Sequence, residues 1–404
     1  MPDRRSLFVA TLLASPLALL LAGPVEAADP VKIGEVNSYS RFPAFTLSYQ
    51  QGWELAVEEV NAAGGVLGGR PLEVLSRDDG GQSANAVTLA NELVSGEGVA
   101  LLSGTFLSNI GLAVSDFANQ KKVLFIAAEP LSTALTWSKG NPYTWRLRPS
   151  TYMQNRMLAD AAAKLDATRW ATIAPNYEYG QSAVAEFKKL LQERKPDVEF
   201  VEEQWPALGK LDGGPTVQTL LAAEPDAIYN ATFAGDLAKF VREGTTRGLF
   251  ENREVVSLLT GEPEYLDPLG AEAPEGWLVT GYPWSKVDTP EHQAFLEAFQ
   301  AAYGEPPKLG AVVGYAMIKT IAAMLDKAGS TETDAMNAAM VGLDVDTPFG
   351  PIVWRGIDHQ ATMGAFVGRI ALEDGKGTMS DWSYVDGMDV QPTDEEVQSL
   401  RPSM

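Results

Sequence analysis

The pattern of apolar runs and helically spaced apolar positions that organises the chain lies between residues 98 and 133. Residues 99–103 are a short apolar run ended by Gly104, the pattern of a strand buried on both faces. Apolar positions at helical spacing follow over 110–120, and a second buried run, 123–128, is closed by Glu129 and Pro130. This reads as strand, crossover helix and parallel strand, with Thr105, Ser108, Asn109, Ser132 and Thr133 just beyond the two strand ends. In open α/β sheets, ligands collect outside the carboxyl ends of the strands, where helix N-termini offer free N–H groups. An ordinary core unit with no site gives the same pattern.

The rhythm continues in both directions. Residues 31–36 predict a first strand, 37–45 a polar and aromatic loop, and 46–61 a helix. A turn-rich connector leads to a strand over 72–76 and a helix over 83–95. Its glycines, Gly64, Gly65, Gly68 and Gly69, fit no phosphate-loop pattern and read as chain reversal. Repeated strand-then-helix units predict a parallel, doubly wound sheet. Residues 141–150 break the rhythm and form the first candidate hinge. A second series follows, with helices over 153–165, 181–193, 216–223 and 236–246 and strands over 170–174, 199–203, 227–230 and 254–259. Residues 276–283 read as a return crossing, 291–303 and 312–328 as long helices, 350–355 as a strand suited to a third crossing, and 362–372 as a terminal strand pair.

Length and charge narrow this picture. The chain has 404 residues, right for two lobes rather than one core. Residues 1–27 read as a secretory signal: Arg4 and Arg5, an apolar stretch over 7–22, and small residues before a cut at Ala27. The segment around Arg4 and Arg5 also loosely resembles a twin-arginine export signal. No later segment reads as long and apolar enough to cross a bilayer, so a soluble, exported protein is expected. The net charge of −22 argues against binding nucleic acid or an anionic membrane surface. With no cysteine, a disulfide framework, a thiol nucleophile and thiolate-bound metal are excluded. His292 and His359 are the only histidines, and neither a GxSxG elbow nor an HExxH pair occurs. Asp78 and Asp79, adjacent on a strand, point to opposite faces and make a poor glycosidase pair. Asp344 and Asp346 are too short a match for a calcium loop, because Pro348 occupies a ligand position. Neither catalysis, a cofactor nor a metal is expected.

Four stretches now carry a resemblance: the helix and turn over 52–66, the strand end at Asp78 and Asp79, residues 177–181, and residues 347–352. Together they resemble the periplasmic leucine/isoleucine/valine-binding proteins of ABC importers, the type I solute-binding proteins, over nearly all of the chain beyond residue 27. The resemblance implies an α/β fold of two doubly wound lobes joined by a three-strand hinge. Residues 28–147 with 282–354 would form the N-lobe, and 148–281 with 355–404 the C-lobe. It implies a periplasmic monomer that shuts on a small-molecule ligand and hands it to ABC transporter permease subunits. Carried over position by position, Ser108 and Asn109 hold the ligand carboxylate, and Ser132 and Thr133 form a second such loop. Tyr179 reaches over from the other lobe, Phe45 and Phe233 supply aromatic walls, and Glu262 pairs with an ammonium. Two departures set the chain apart from a leucine binder: residues 127–132 lack the family's more polar, threonine-bearing sequence, and the first loop carries Arg41.

A carboxylate is held by converging hydroxyl and backbone donors at helix starts, which suits Ser108 and Ser132. Each residue also has a plainer reading: Ser108 as a helix cap, Phe45 and Tyr179 as packing within their own lobes, Glu262 as a solvated turn carboxylate. Arg41, Arg146 and Arg148 have the bidentate fork for an acid, though surface salt bridging is the stronger reading for Arg146 and Arg148. The expectation is a receptor for a small carboxylate-bearing solute of the branched-chain amino acid type. The alternatives are a receptor for amides or aromatic acids feeding a sensor and, from another class, a glycoside hydrolase.

Overall fold

The computed structural model describes residues 29–401, so the signal segment and its cleavage point lie outside the described residues. The chain opens with β1 (Val31–Asn37), α1 (Pro43–Ala62), β2 (Leu72–Asp78), α2 (Ser83–Glu92), β3 (Leu101–Gly104), α3 (Ser108–Lys121), β4 (Phe125–Ala127) and β5 (Thr144–Arg146). These five strands make one all-parallel sheet in the order β2-β1-β3-β4-β5. Every residue of β3, β4 and β5 is buried, which is why their sequences run apolar without alternation.

A second unit follows: α4 (Thr151–Ala162), β6 (Arg169–Ile173), α5 (Glu178–Arg194), β7 (Glu199–Gln204), α6 (Gly213–Ala222), β8 (Ala227–Asn230), α7 (Ala234–Thr246), β9 (Glu254–Gly261), α8 (Pro263–Leu269) and β10 (Leu278–Gly281). The chain then returns to the first unit for α9 (Pro290–Tyr303), α10 (Leu309–Ala328), α11 (Thr333–Met340), β11 (Asp344–Thr347) and β12 (Gly350–Val353). It ends on the second unit with β13 (Ala365–Glu373), β14 (Lys376–Val385), α12 (Gly387–Val390) and α13 (Asp394–Leu400). The second sheet runs β14-β13-β10-β9-β8-β6-β7, parallel from β7 to β10 and antiparallel at β13 and β14. Two doubly wound lobes result, and the chain passes between them three times: after β5, after β10 and after β12.

Four expectations change. The stretch 141–150 is not hinge throughout, because Thr144–Arg146 first pairs with β4 as an edge strand. Residues 350–355 begin as a hairpin with β11, and the third crossing comes only after Val353. The terminal strand pair is longer and later than 362–372, since its second strand is Lys376–Val385. Finally, Leu309–Ala328 is by length and composition apolar enough to cross a bilayer, against the expectation that no later segment is. Its apolar surface is spent inside the fold, where most of it is buried.

That helix packs on α1 at backbone contact. A Cβ added at Gly52 would stand 2.0 Å from the Ala311 carbonyl oxygen, and one at Gly314 would stand 2.1 Å from that of Tyr49. Glycine is needed at both positions for this approach. It fixes the face of α1 that carries Phe45 and Tyr49.

Candidate functional site

Each sheet reverses its strand order once, between β1 and β3 in the first lobe and between β6 and β8 in the second. At such a switch point the loops leaving the two strands turn to opposite faces and open a crevice. The two crevices face one another. Phe45 from α1 and Phe106 from the loop after β3 meet Tyr177 from the loop after β6, Tyr179 from the first turn of α5, and Phe233 from the loop after β8. With Tyr265 of α8 these rings wall a nearly closed cavity of about 30 Å³, room for little more than a water molecule while the lobes stand this close. Rings touch across the lobes: Phe233 lies 6.1 Å from Phe45 and 6.2 Å from Phe106, and Tyr265 lies 5.3 Å from Phe45. Thr105 (φ 64°), Ala234 (φ 52°) and Leu259 (φ 66°), all at or beside the wall, hold left-handed backbone. Such conformations cost about 1–3 kcal/mol each and are held in place where they aim functional groups.

The polar groups of the cavity are Ser108, Glu129, Arg148 and the phenol ends. Arg148 is buried where the first crossing leaves β5. Its Nη2 donates to Glu262 Oε1 at 2.5 Å, and its Nη1 stands 3.8 Å from Glu129 Oε1. Burial opposes the charge on Arg148, but Glu262 and Glu129 outweigh it and raise the guanidinium's pKa. Burial pushes Glu262 up to about 8 against the pull of Arg148, to which it is hydrogen-bonded. Glu129 has no such bond, and burial drives it up to about 8 against the weaker pull of Arg148. Tyr179 is buried, its phenol pushed up by burial and by Glu262, and its hydroxyl has no partner among the described residues.

Ser108 is the first residue of α3 but not its side-chain cap. Its Oγ instead accepts N–H bonds from Leu131 and Ser132, both at 3.2 Å, which ties the start of α3 to the loop after β4. At the first positions of α3 the backbone N–H groups have no partner within the helix.

Phe45, Ser108, Tyr179 and Phe233 are thus brought together at one cavity. The other sequence-predicted residues lie elsewhere. Asn109 donates from Nδ2 to Ser83 Oγ at 2.9 Å and serves α2. Ser132 donates to Glu178 Oε1 at 2.6 Å, and Thr133 N–H donates to Ser182 Oγ at 3.2 Å, so both clasp α5 of the opposite lobe instead of lining the cavity. Arg41 is exposed at the mouth, its guanidinium 5.4 Å from the ring centroid of Phe42. Glu262 is neither solvated nor on the cavity wall, being held behind it by Arg148. The surface reading of Arg146 and Arg148 fails as well. Arg146 is 1% exposed, donating to Gln360 at 2.6 Å and to Thr136 Oγ1 at 3.0 Å, and burial lowers its pKa to about 9. Asp78 and Asp79 accept turn N–H bonds from Gly80 and Gly81 and take no part in the cavity.

Sequence reading missed Phe106, Glu129, Tyr177, Tyr265 and the cavity role of Arg148. Phe106 had a signal, a lone ring in an otherwise polar loop between Thr105 and Ser108. Tyr265 had almost none, because α8 begins at Pro263 and contains Pro268, so its sequence reads as a turn.

Further contacts close the lobes on each other. The Glu264 carboxylate at the start of α8 accepts the Gly310 N–H at 2.7 Å, capping α10 across the cleft. Beside it, Lys308 Nζ meets Asp267 Oδ2 at 2.7 Å.

Two lobes with facing switch points and a small, ring-walled cavity between them define a protein that closes on a solute. The chain belongs to the periplasmic binding proteins, whose family model matches residues 30–376. It is 26% identical to a Leu/Ile/Val-binding protein homolog of Brucella suis, over 83% of this chain and 86% of that protein. Among solved structures it is similar to an amino acid ABC transporter substrate-binding protein from Pseudomonas fluorescens, with a TM-score of 0.80, 23% identity, and 92% and 99% of the two chains covered. It is also similar to an ABC transporter solute-binding protein from Rhodopseudomonas palustris in complex with 3,4-dihydroxybenzoic acid, with a TM-score of 0.79, 24% identity, and 89% and 98% covered. The chain is a solute-binding protein of the kind that serves ABC transporters.

Proposed function

We propose that the chain captures a small aromatic carboxylic acid between its lobes and delivers it to the permease subunits of an ABC importer. The observation that carries this reading is the lining of the interlobe cavity: six aromatic rings, with Ser108, Glu129 and Arg148 as its polar groups. Flat rings favour a flat apolar body by offset and edge-to-face contact. The Ser108 hydroxyl and the N-terminal end of α3 suit its carboxylate. A branched-chain amino acid fits less well, because Glu262, the expected partner for its ammonium, is committed to Arg148. The similar Rhodopseudomonas palustris protein, bound to a dihydroxybenzoic acid, supports the same class of solute. Export with cleavage after Ala27, action as a monomer and lobe boundaries of 28–147 with 282–354 and 148–281 with 355–404 belong to the same proposal.

A thermal-shift panel of benzoate, 4-hydroxybenzoate, benzamide, leucine and valine tests it, since stabilisation follows ligand concentration over Kd. The two aromatic acids are expected to raise Tm in a dose-dependent way and leucine is not. Stabilisation by leucine or valine alone would refute the assignment.

A further inference from the structure

This inference rests on the aromatic-acid reading. Glu129 is the one carboxylate among the described residues lining the cavity. It follows β4 by two residues, is 4% exposed, and its Oε2 has no hydrogen-bond partner among the described residues. Among the described residues the cation beside it is Arg148, which is 3.8 Å away and gives its short bond to Glu262. The groups that face Glu129 are Arg148 from the first crossing, Glu262 at the end of β9, Glu264 of α8, Glu35 of β1 and the phenol of Tyr49 on α1. One guanidinium therefore stands against four carboxylates, and a further anion enters such a site only where a carboxylate is neutral.

We propose that Glu129 stands in the cavity wall as a neutral carboxyl and donates a hydrogen bond from its O–H to the carboxylate of the bound solute, so that in alkaline solution, where the free cleft has lost this proton, capture of an aromatic acid takes one up. The proton stays on Glu129 in this O–H···O⁻ bond, among the short, charge-assisted kind. An ionised Glu129 would repel the same carboxylate. It would instead attract the ammonium of an α-amino acid, and the protein would then shed a proton on binding. Glu129 is in this way a specificity-determining residue: its protonation state separates a simple acid from a zwitterion.

The test is isothermal titration of the full mature chain with benzoate and with leucine at pH 8.5, in phosphate and in Tris, whose ionisation enthalpies differ widely. Proton uptake makes the measured benzoate enthalpy differ between the two buffers. The benzoate Kd is expected to rise by up to about tenfold per pH unit above pH 8, the slope of one linked proton. In Glu129→Gln, whose amide still donates but does not titrate, the buffer difference and the pH slope are both expected to disappear. Benzoate binding with equal enthalpy in both buffers and a Kd flat from pH 7 to 9.5 would overturn the proposal and leave the aromatic-acid reading standing. So would a Glu129→Gln protein that keeps the wild-type slope. Leucine binding with proton release, or no binding of either acid, would overturn both. The wild-type titrations decide the matter even where the variant does not fold.

Discussion

Replacing Phe233 with alanine isolates the closing step. Its ring is 4% exposed and stands 5.8 Å from Phe42, 6.1 Å from Phe45 and 6.2 Å from Phe106, all in the opposite lobe. Those three contacts exist only while the lobes are together. Its neighbours Tyr177 and Tyr179, at 6.4 and 6.1 Å, belong to its own lobe and stay beside it when the cleft opens. A ring pair of this kind contributes about 0.5–1.5 kcal/mol beyond simple area burial. Phe233→Ala therefore removes roughly 1.5–4.5 kcal/mol from the closed form, from three such pairs. At 1.4 kcal/mol per factor of ten, the benzoate Kd is expected to rise roughly ten- to a thousandfold. The loss should fall mainly on dissociation, because the contacts form after encounter. Titration calorimetry gives the Kd, stopped-flow dissociation gives the rate, and urea unfolding of the ligand-free variant accounts for the hole left in its own lobe. A Kd within twofold of wild type, or a loss carried wholly by the association rate, would refute the reasoning.

Gly314→Ala puts a methyl 2.1 Å from the Tyr49 carbonyl oxygen, so α1 and α10 must part; a loss of about 1–3 kcal/mol in urea unfolding is expected. Glu264→Gln leaves the Gly310 N–H bond but removes its charge from the start of α10, and should weaken benzoate binding by about two- to thirtyfold, from roughly 0.5–2 kcal/mol of helix-end electrostatics. Arg148→Met strands Glu262 in the interior and should cost about 3–5 kcal/mol of folding stability, most of it recovered when Glu262→Gln is added; a double variant no more stable than the single one would exclude the pairing. Glu35 and Glu129 keep their protons up to about pH 8 in the folded chain, while an unfolded glutamate loses its proton near 4.5. The folded state then binds more protons over that window, so these two groups stabilise most below it, and the urea midpoint should fall from pH 5 to pH 8; a rising midpoint would contradict this.

The two lobes were legible because strands buried on both faces write themselves as unbroken apolar runs, and each run here ends at a glycine, proline or polar loop. Phe45, Ser108, Tyr179 and Phe233 were legible for the same reason, as they sit just past strand ends at the switch points. Ser132 and Thr133 also sit past a strand end, yet β4 is one strand removed from the switch, and its loop reaches α5 instead of the cavity. Glu262 and the arginines were misread because local sequence carries no sign of burial. Arg148 lies next to Pro149 in a stretch that looks like a surface linker, and only the packing of both lobes shows it enclosed with Glu129 and Glu262. Tyr265 was invisible because two prolines disguise the helix that holds it.

The position of the solute itself bears most directly on the claim that two facing switch points shut on a small aromatic acid. A crystal structure of the mature protein grown with benzoate is expected to show one molecule between the lobes, its ring against Phe45 and Phe233 and its carboxylate among Ser108, Glu129 and Arg148. Benzoate lodged on the outer face of α5 near Lys188, or lobes standing open around an empty cleft at saturating benzoate, would contradict it.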